Sequence, residues 1–360
     1  MFKNKLPSLS SLLLLPLLIT GCENNFFRQD SGTNTNADYG SGEIPDPTDL
    51  RELKPASDTY NALVRHTFSE VGQDFDPFVA KDGRSVLYAS TSHSPKSDIY
   101  LKKVDSRVIE QVTHTPNANE KQPQISPDGQ TIIYASDREG QWNIYETSFT
   151  QRGALVLEVV RNGRVNEQPC YSHDGKKVAY TTWMPTKGQW YIAVTDRATQ
   201  QETIYGPGLF PRFSPDGKKL LFQRPRTRAP QWFSIWILDL ESENNSEIIS
   251  SSTWAAVTPS WSPDSKKIIF AAINKSIQSK GAYVGDDIYT IWADGTHLVR
   301  LTNDDAPDWN PIWANNGRIF FVSKRNGQQN IWSLSPKNLD AFHPDTIESK
   351  AVVPSNHDNL

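Results

Sequence analysis

Between residues 61 and 336 the alternation of apolar and polar positions falls into a unit that recurs six times. The clearest marker of each copy is a proline opening a short segment: DPFVAKDG from Asp76, QPQISPDG from Gln122, QPCYSHDG from Gln168, FPRFSPDG from Phe210, TPSWSPDS from Thr258 and NPIWANNG from Asn310. Successive prolines are 46, 46, 42, 48 and 52 residues apart. Two positions after each comes an apolar residue, Val79, Ile125, Tyr171, Phe213, Trp261 or Trp313, which marks a core position. A proline is tolerated at the first residue of a strand, where no ladder donor is required, so a strand is predicted to begin at each.

A turn follows each strand. In Ser126-Pro127-Asp128-Gly129 and Ser214-Pro215-Asp216-Gly217 the proline pre-sets φ, the aspartate can bond its own backbone, and the glycine accepts a left-handed conformation. A second strand is then predicted from runs such as Thr131-Ile132-Ile133-Tyr134 and Lys267-Ile268-Ile269-Phe270, apolar enough to be covered on both faces. The third carries a recurring triplet: Asp98-Ile99-Tyr100, Asn143-Ile144-Tyr145, Asp287-Ile288-Tyr289 and Asn330-Ile331-Trp332, with Ser234-Ile235-Trp236 as a variant. A fourth, more polar strand closes each unit, as in Gln111-Val112-Thr113 and Leu298-Val299-Arg300-Leu301-Thr302.

The last unit shows no fourth strand of its own, whereas Leu63-Val64-Arg65-His66-Thr67, ahead of the first proline, nearly copies Leu298 to Thr302. The expected fold is therefore all-β: a six-bladed β-propeller of four-stranded antiparallel blades, closed by an N-terminal strand, Leu63 to Thr67, that completes the last blade.

The amino-terminal region has a different character. Lys3 and Lys5 precede an apolar stretch, Leu12 to Ile19, too short for a membrane span, so residues 1–21 read as a signal peptide. Ile19-Thr20-Gly21-Cys22 resembles the bacterial lipobox, which implies acylation of Cys22; an ordinary secretory leader ending near a cysteine is the alternative. Several acyl chains on one residue would anchor stably where one binds only marginally. Glu23 in place of an aspartate points to the outer membrane, with the folded part facing the periplasm. Residues 22–60, rich in Asn, Asp, Ser, Thr, Gly and Pro, read as a flexible tether, and 337–360 as a disordered tail.

Composition narrows the function classes. A formal net charge of −4, made more negative by loss of Lys3 and Lys5, carries no basic footprint for a nucleic-acid partner. With Cys22 assigned to a lipid, Cys170 reads as a small buried hydrophobe. The S-P-D-G turn, apolar strand and Asp-Ile-Tyr-like triplet together resemble the repeat of the TolB-type six-bladed propeller family, over about Ala62 to Pro336. That resemblance implies a periplasmic protein that binds an envelope partner such as the peptidoglycan-associated lipoprotein. The chain departs from the family in having a short tether and a lipid site where TolB has an α/β domain. Related repeats occur in prolyl-oligopeptidase propellers and in oligogalacturonate lyase.

A propeller-capped serine hydrolase would need a G-x-S-x-G elbow, which is absent from the sequence. The seven histidines (66, 93, 114, 173, 297, 343 and 357) fall in different units or the tail at no ligand spacing. A non-enzymatic scaffold without metal or cofactor is thus expected, as a monomer; the alternative is a carbohydrate-binding or polysaccharide-lyase-like propeller acting on glycans, for which Trp183, Trp190, Trp232 and Trp254 are the candidate aromatics. The segments before each proline are expected to cluster at one channel mouth, as links between blades. Asp74, Asp76, Glu120, Gln122, Asn166, Glu167, Gln168, Asp308, Trp309 and Asn310 are therefore the predicted partner-binding rim, since the TolB partner docks at a channel mouth. Arg224, Arg226 and Arg228 form a basic loop able to grip an anion or simply be solvated. Asp286, Asp287, Asp304, Asp305 and Asp308 lack EF-hand spacing and read as turn aspartates rather than a calcium site.

Overall fold

The computed structural model describes residues 60–337, apart from 152, 227–232, 275–285 and 304–305. The leader, Cys22, the tether up to residue 59 and the tail from 338 lie outside the described residues, as do Arg228, Trp232, Asp304 and Asp305. The described chain is all-β, with six four-stranded antiparallel sheets. Blade 1 comprises Asp74–Val79, Ser85–Ser90, Asp98–Lys103 and Ile109–Gln111, and blades 2 to 5 repeat this order. Blade 6 takes three strands from the carboxyl-terminal end, Asp308–Trp313, Ile319–Ser323 and Asn330–Leu334, and its outer strand, Val64–Arg65, from the other end of the domain.

That latch pairs Val64 with Ser333 and Arg65 with Trp332, and a bridge from Tyr60 to Pro336 extends it. The His66 N–H donates to the Ile331 carbonyl at 2.8 Å, and the Ile331 N–H donates to Thr67 Oγ1 at 2.9 Å. The His66 ring is buried, bonds Ser333 Oγ through Nε2 at 2.7 Å, and lies 5.0 Å from the Phe320 ring. Pairing the two ends removes an edge that an open array would expose.

The second strands behave as their composition requires: Ile132, Ile133, Tyr134 and Ala135 are each 0% exposed. They are covered on both faces because each blade stacks on its neighbours. One cluster joins Leu87 and Ile99 of blade 1 to Ile132, Tyr134 and Tyr145 of blade 2, and another joins Val79, Val86 and Tyr88 of blade 1 to Phe320, Val322 and Ile331 of blade 6. Full burial of an isoleucine or phenylalanine contributes about 1.5–3 kcal/mol, so each of these shared clusters ties its two blades together.

The turns after the first strands form as their residues dictate. Ser126 Oγ donates to Asp128 Oδ1 at 2.5 Å, the Gly129 N–H donates to the Ser126 carbonyl at 2.9 Å, and Gly129 has a φ of 73°. Ser172, Ser214 and Ser262 repeat the serine-to-aspartate bond, and the Ser126 hydroxyl holds the Asp128 carboxyl below the usual carboxylate range.

One local expectation is corrected. The prolines do not open the first strands: Pro77 is the fourth residue of Asp74–Val79, and Pro123 the fourth of Glu120–Ile125. The ladder tolerates them because the register shifts there. Phe75 pairs with Ala89 and Phe78 with Leu87, so Asp76 and Pro77 together oppose Tyr88 in a bulge that needs no proline donor.

Candidate functional site

The first strands pack against one another in a closed succession, blade 1 to blade 6 and back to blade 1, so they surround the axis. The bulge gives them a shared conformation. The residue before each repeat proline has a left-handed φ: Asp76 50°, Gln122 56°, Gln168 58°, Phe210 55°, Thr258 50° and Asn310 51°. None is a glycine, and such a conformation disfavours any side chain by about 1–3 kcal/mol.

Bonds between blades hold these six residues. The Gln122 N–H donates to Asp76 Oδ2 at 3.2 Å, the Gln168 N–H to Gln122 Oε1 at 2.8 Å, and the Phe210 N–H to Gln168 Oε1 at 2.8 Å. Where Phe210 has no acceptor to offer, Gln223 of the second strand takes over, accepting the Thr258 N–H at 2.6 Å. Asn310 Nδ2 donates to Asp76 Oδ1 at 2.8 Å, linking blade 6 to blade 1. Gln122 Nε2, Gln168 Nε2 and Thr258 Oγ1 are buried and have no partner among the described residues, so the ring keeps unused hydrogen-bonding capacity.

Of the ten residues expected to form a partner-binding rim of linking segments, eight are buried and all ten lie in first strands rather than in connecting segments. The acids at the start of these strands anchor the adjoining loops. Asp74 accepts from Ser90 Oγ and Ser69 Oγ, both at 2.6 Å. Glu120 Oε1 accepts from Thr115 Oγ1 and Arg138 Nη2, both at 2.7 Å, while burial raises its carboxyl pKa. Asp308 takes both oxygens to Arg325 Nη2, at 2.8 and 2.6 Å. Asn166 Nδ2 donates to Asn143 Oδ1 at 2.9 Å. Only Trp309 and Asn310 of the ten are half-buried.

Sequence reasoning named Asp76 and Glu167 but missed the cations beside them, Lys121 and Arg212. Lys121 Nζ meets Glu167 Oε2 at 2.7 Å, with side chains 4% and 0% exposed, and lies 3.8 Å from the centre of the Trp142 ring. The signal was present: the two occupy the same repeat position in successive copies, 46 residues apart, with opposite charge. Arg212, half-buried in the first strand of blade 4, donates to the Pro211 carbonyl at 3.2 Å and acts electrostatically on Asp76. Burial pushes the Asp76 carboxyl up to about 6, against the pull of Lys121, the Gln122 N–H and Arg212.

A raised acid stabilises the fold below its unfolded value, and that contribution is lost as pH rises through about 6. Asp76→Asn should therefore unfold at higher urea than the parent at pH 7, by up to about 3 kcal/mol, with the advantage gone by about pH 4. An unchanged difference across that range would disprove burial of the charge as its cause.

The other candidates are dispersed. Arg224 lies within the strand Lys219–Pro225, its guanidinium 5.0 Å from the centre of the Trp236 ring, and Arg226 Nη1 donates to the Ser251 carbonyl at 2.6 Å. Asp287 is bound to Arg300 and accepts from Thr302 Oγ1 at 3.2 Å. Trp183 and Trp190 meet edge to face at 5.4 Å, whereas Trp254 is fully buried against Phe270. Cys170 is buried, with its thiol pKa raised by burial. Among the described residues, no three His, Cys, Asp or Glu side chains converge as metal ligands.

Comparison with known proteins matches the geometry. The family described as the TolB beta propeller domain matches residues 61–210, 151–284 and 205–350. The Tol-Pal system protein TolB of Francisella tularensis subsp. mediasiatica is 27% identical over 249 residues, which is 68% of this chain and 54% of that protein. The chain spans about half the length of the curated relatives it matches. Among solved structures, TolB from Acinetobacter baumannii superposes with a TM-score of 0.52 at 18% identity, over 72% of this chain and 65% of that one. An oligogalacturonate lyase from Vibrio parahaemolyticus gives 0.52 at 13% identity, over 76% and 93%. At those identities the two structures share the fold.

Proposed function

Because this chain belongs to the TolB β-propeller domain family, we propose that it is a non-catalytic scaffold, anchored by a lipid on Cys22 to the outer membrane and facing the periplasm, that binds an envelope protein at its axial mouth. The observation that carries this reading is the construction of that mouth. Acids that would serve general acid-base chemistry if free are committed to Arg138, Arg325 and serine hydroxyls, so they position loops. Trp309 and Asn310 remain half-buried beside them. An aromatic side chain held by packing at a polar rim suits recognition of a protein surface, and a partner such as the peptidoglycan-associated lipoprotein fits the family. In this reading the eight buried rim residues shape the mouth, while Trp309 and Asn310 touch the partner.

Photo-crosslinking in intact cells tests it. A photoreactive phenylalanine in place of Trp309 should capture a defined envelope protein, and the same group in place of exposed His173 on the opposite rim should not. Equal capture at both positions, or none at Trp309 together with binding to a glycan array, would replace the scaffold by the carbohydrate reading.

A further inference from the structure

The hairpins joining third to fourth strands carry an asymmetry that partner binding at the mouth does not use. In blades 3, 4 and 5 these tips are polar: Asp196 binds Thr199, Asp239 binds Ser242, and Asp294 binds Thr296. In blades 1 and 2 they present aliphatic side chains to solvent. Val108 is 73% exposed, Ile109 40%, Leu155 78% and Leu157 51%. The two tips lie at the same rim of adjacent blades, because each ends a third strand running in the same direction, and Phe149 and Val156 of blade 2 pack on a cluster shared with blade 1. Single exposed aliphatics are ordinary, but four on adjacent tips form a patch.

Topology fixes which way this patch faces. Each third strand runs toward these tips, and in blade 6 that direction ends at Leu334, beside Pro336 and its bridge to Tyr60. The chain from Cys22 therefore enters the propeller at the rim that carries the patch, while Trp309 and Asn310 lie toward the other rim. If it is the tether of the lipid-anchored reading, a chain of that length would have a root-mean-square reach of roughly 35 Å. Charged side chains border the aliphatics: Lys81, Arg84, Lys103 and Arg107 are exposed there, against exposed Asp82, Asp105 and Glu110, a small excess of positive charge. An aliphatic edge with that small basic excess, at the end where the tether arrives, matches a phospholipid surface.

We infer that the hairpin tips of blades 1 and 2 insert their aliphatic side chains into the interface of a phospholipid bilayer, orienting the propeller so that its binding mouth points away from the membrane. The inference rests on the lipid-anchored reading above, because it takes the tether to bring this rim to the membrane. A single acyl chain or a small apolar patch binds marginally by itself, and the two add when they reach the same surface.

The test uses the full chain with Cys22→Ser, which cannot be acylated, and vesicles of phosphatidylethanolamine and phosphatidylglycerol. At high lipid concentration a measurable fraction of this protein should float with the vesicles, as a patch that binds marginally by itself requires. Adding Val108→Ser, Leu155→Ser and Leu157→Ser should lower the bound fraction at least about tenfold, with the thermal midpoint kept because all three side chains are exposed. Ile204→Ser, at an exposed aliphatic on blade 3, should leave binding unchanged. Failure of the Cys22→Ser chain to float, or binding equal in the triple variant, would overturn the inference. So would a dimer in solution that the triple variant abolishes, since the patch would then belong to a second copy. The mass of the amino-terminal peptide from cells reads acylation of Cys22 separately, so loss of the anchor and loss of the patch are distinguishable.

Discussion

Glu167→Ala is expected to destabilise the propeller by about 3–5 kcal/mol, read as a fall in the urea midpoint at constant slope. The substitution removes the bonded counter-charge of Lys121, 4% exposed, and leaves it the face of Trp142 and the Asp76 carboxyl, to which it is not bonded. An ammonium taken out of water needs its pair, and one aromatic face compensates only partly. The decisive companion is Lys121→Met with Glu167→Met. Replacing both charges by apolar groups of similar length should recover most of the loss, because the desolvation of two ions disappears with their attraction. If the double variant is as unstable as the single one, the pair acts through geometry that only this ion pair provides.

The latch carries the second large effect. His66→Pro removes the N–H that donates to the Ile331 carbonyl at 2.8 Å, the bond from Nε2 to Ser333 Oγ at 2.7 Å, and the ring contact with Phe320. A loss of about 3–5 kcal/mol is expected. Amide exchange should accelerate first along Asn330–Leu334, the strand the latch covers, before the other blades respond. Uniform acceleration throughout the ring would mean that closure and global unfolding are one event. The same residue gives the latch an acid limit. Burial, with Arg318 and Lys102 nearby, holds the His66 pKa at about 4, below its unfolded value, so its contribution is present above about pH 6.5 and is lost as pH falls toward 4. Asp76 contributes in the opposite sense over part of that range, and Asp76→Asn should therefore make the acid loss steeper.

Strand number, blade order and closure were legible because each rests on a pattern one residue deep. The prolines, the apolar residue two positions on, and the copy of Leu298 to Thr302 at Leu63 to Thr67 each repeat in one dimension. The axial ring was not legible in the same way. Its left-handed residues are Asp, Gln, Gln, Phe, Thr and Asn, and nothing in those identities announces a positive φ; the bulge comes from register against the second strand, which only pairing reveals. The acids of the rim were read as partner-binding linkers between blades for a related reason. Asp74, Glu120 and Asp308 look like loop residues until Ser90, Arg138 and Arg325 fold over them from the next strand or loop. Lys121 could have been found by aligning copies, since it and Glu167 are the two charged residues, of opposite sign, at a repeat position that is otherwise apolar.

The latch also sets an order of events during synthesis. His66 and Ser333 are 267 residues apart, so a chain synthesised amino terminus first delivers the closing strand long before the blade it closes. Through that interval the strand is without its partner, and when blade 6 finally assembles its edge accepts whichever copy of Leu63 to Thr67 is nearest. At low density that copy is its own, about one domain diameter away. Where many chains emerge together, two molecules can trade closing strands and leave as an interlocked pair, each ring complete and neither able to part without opening both.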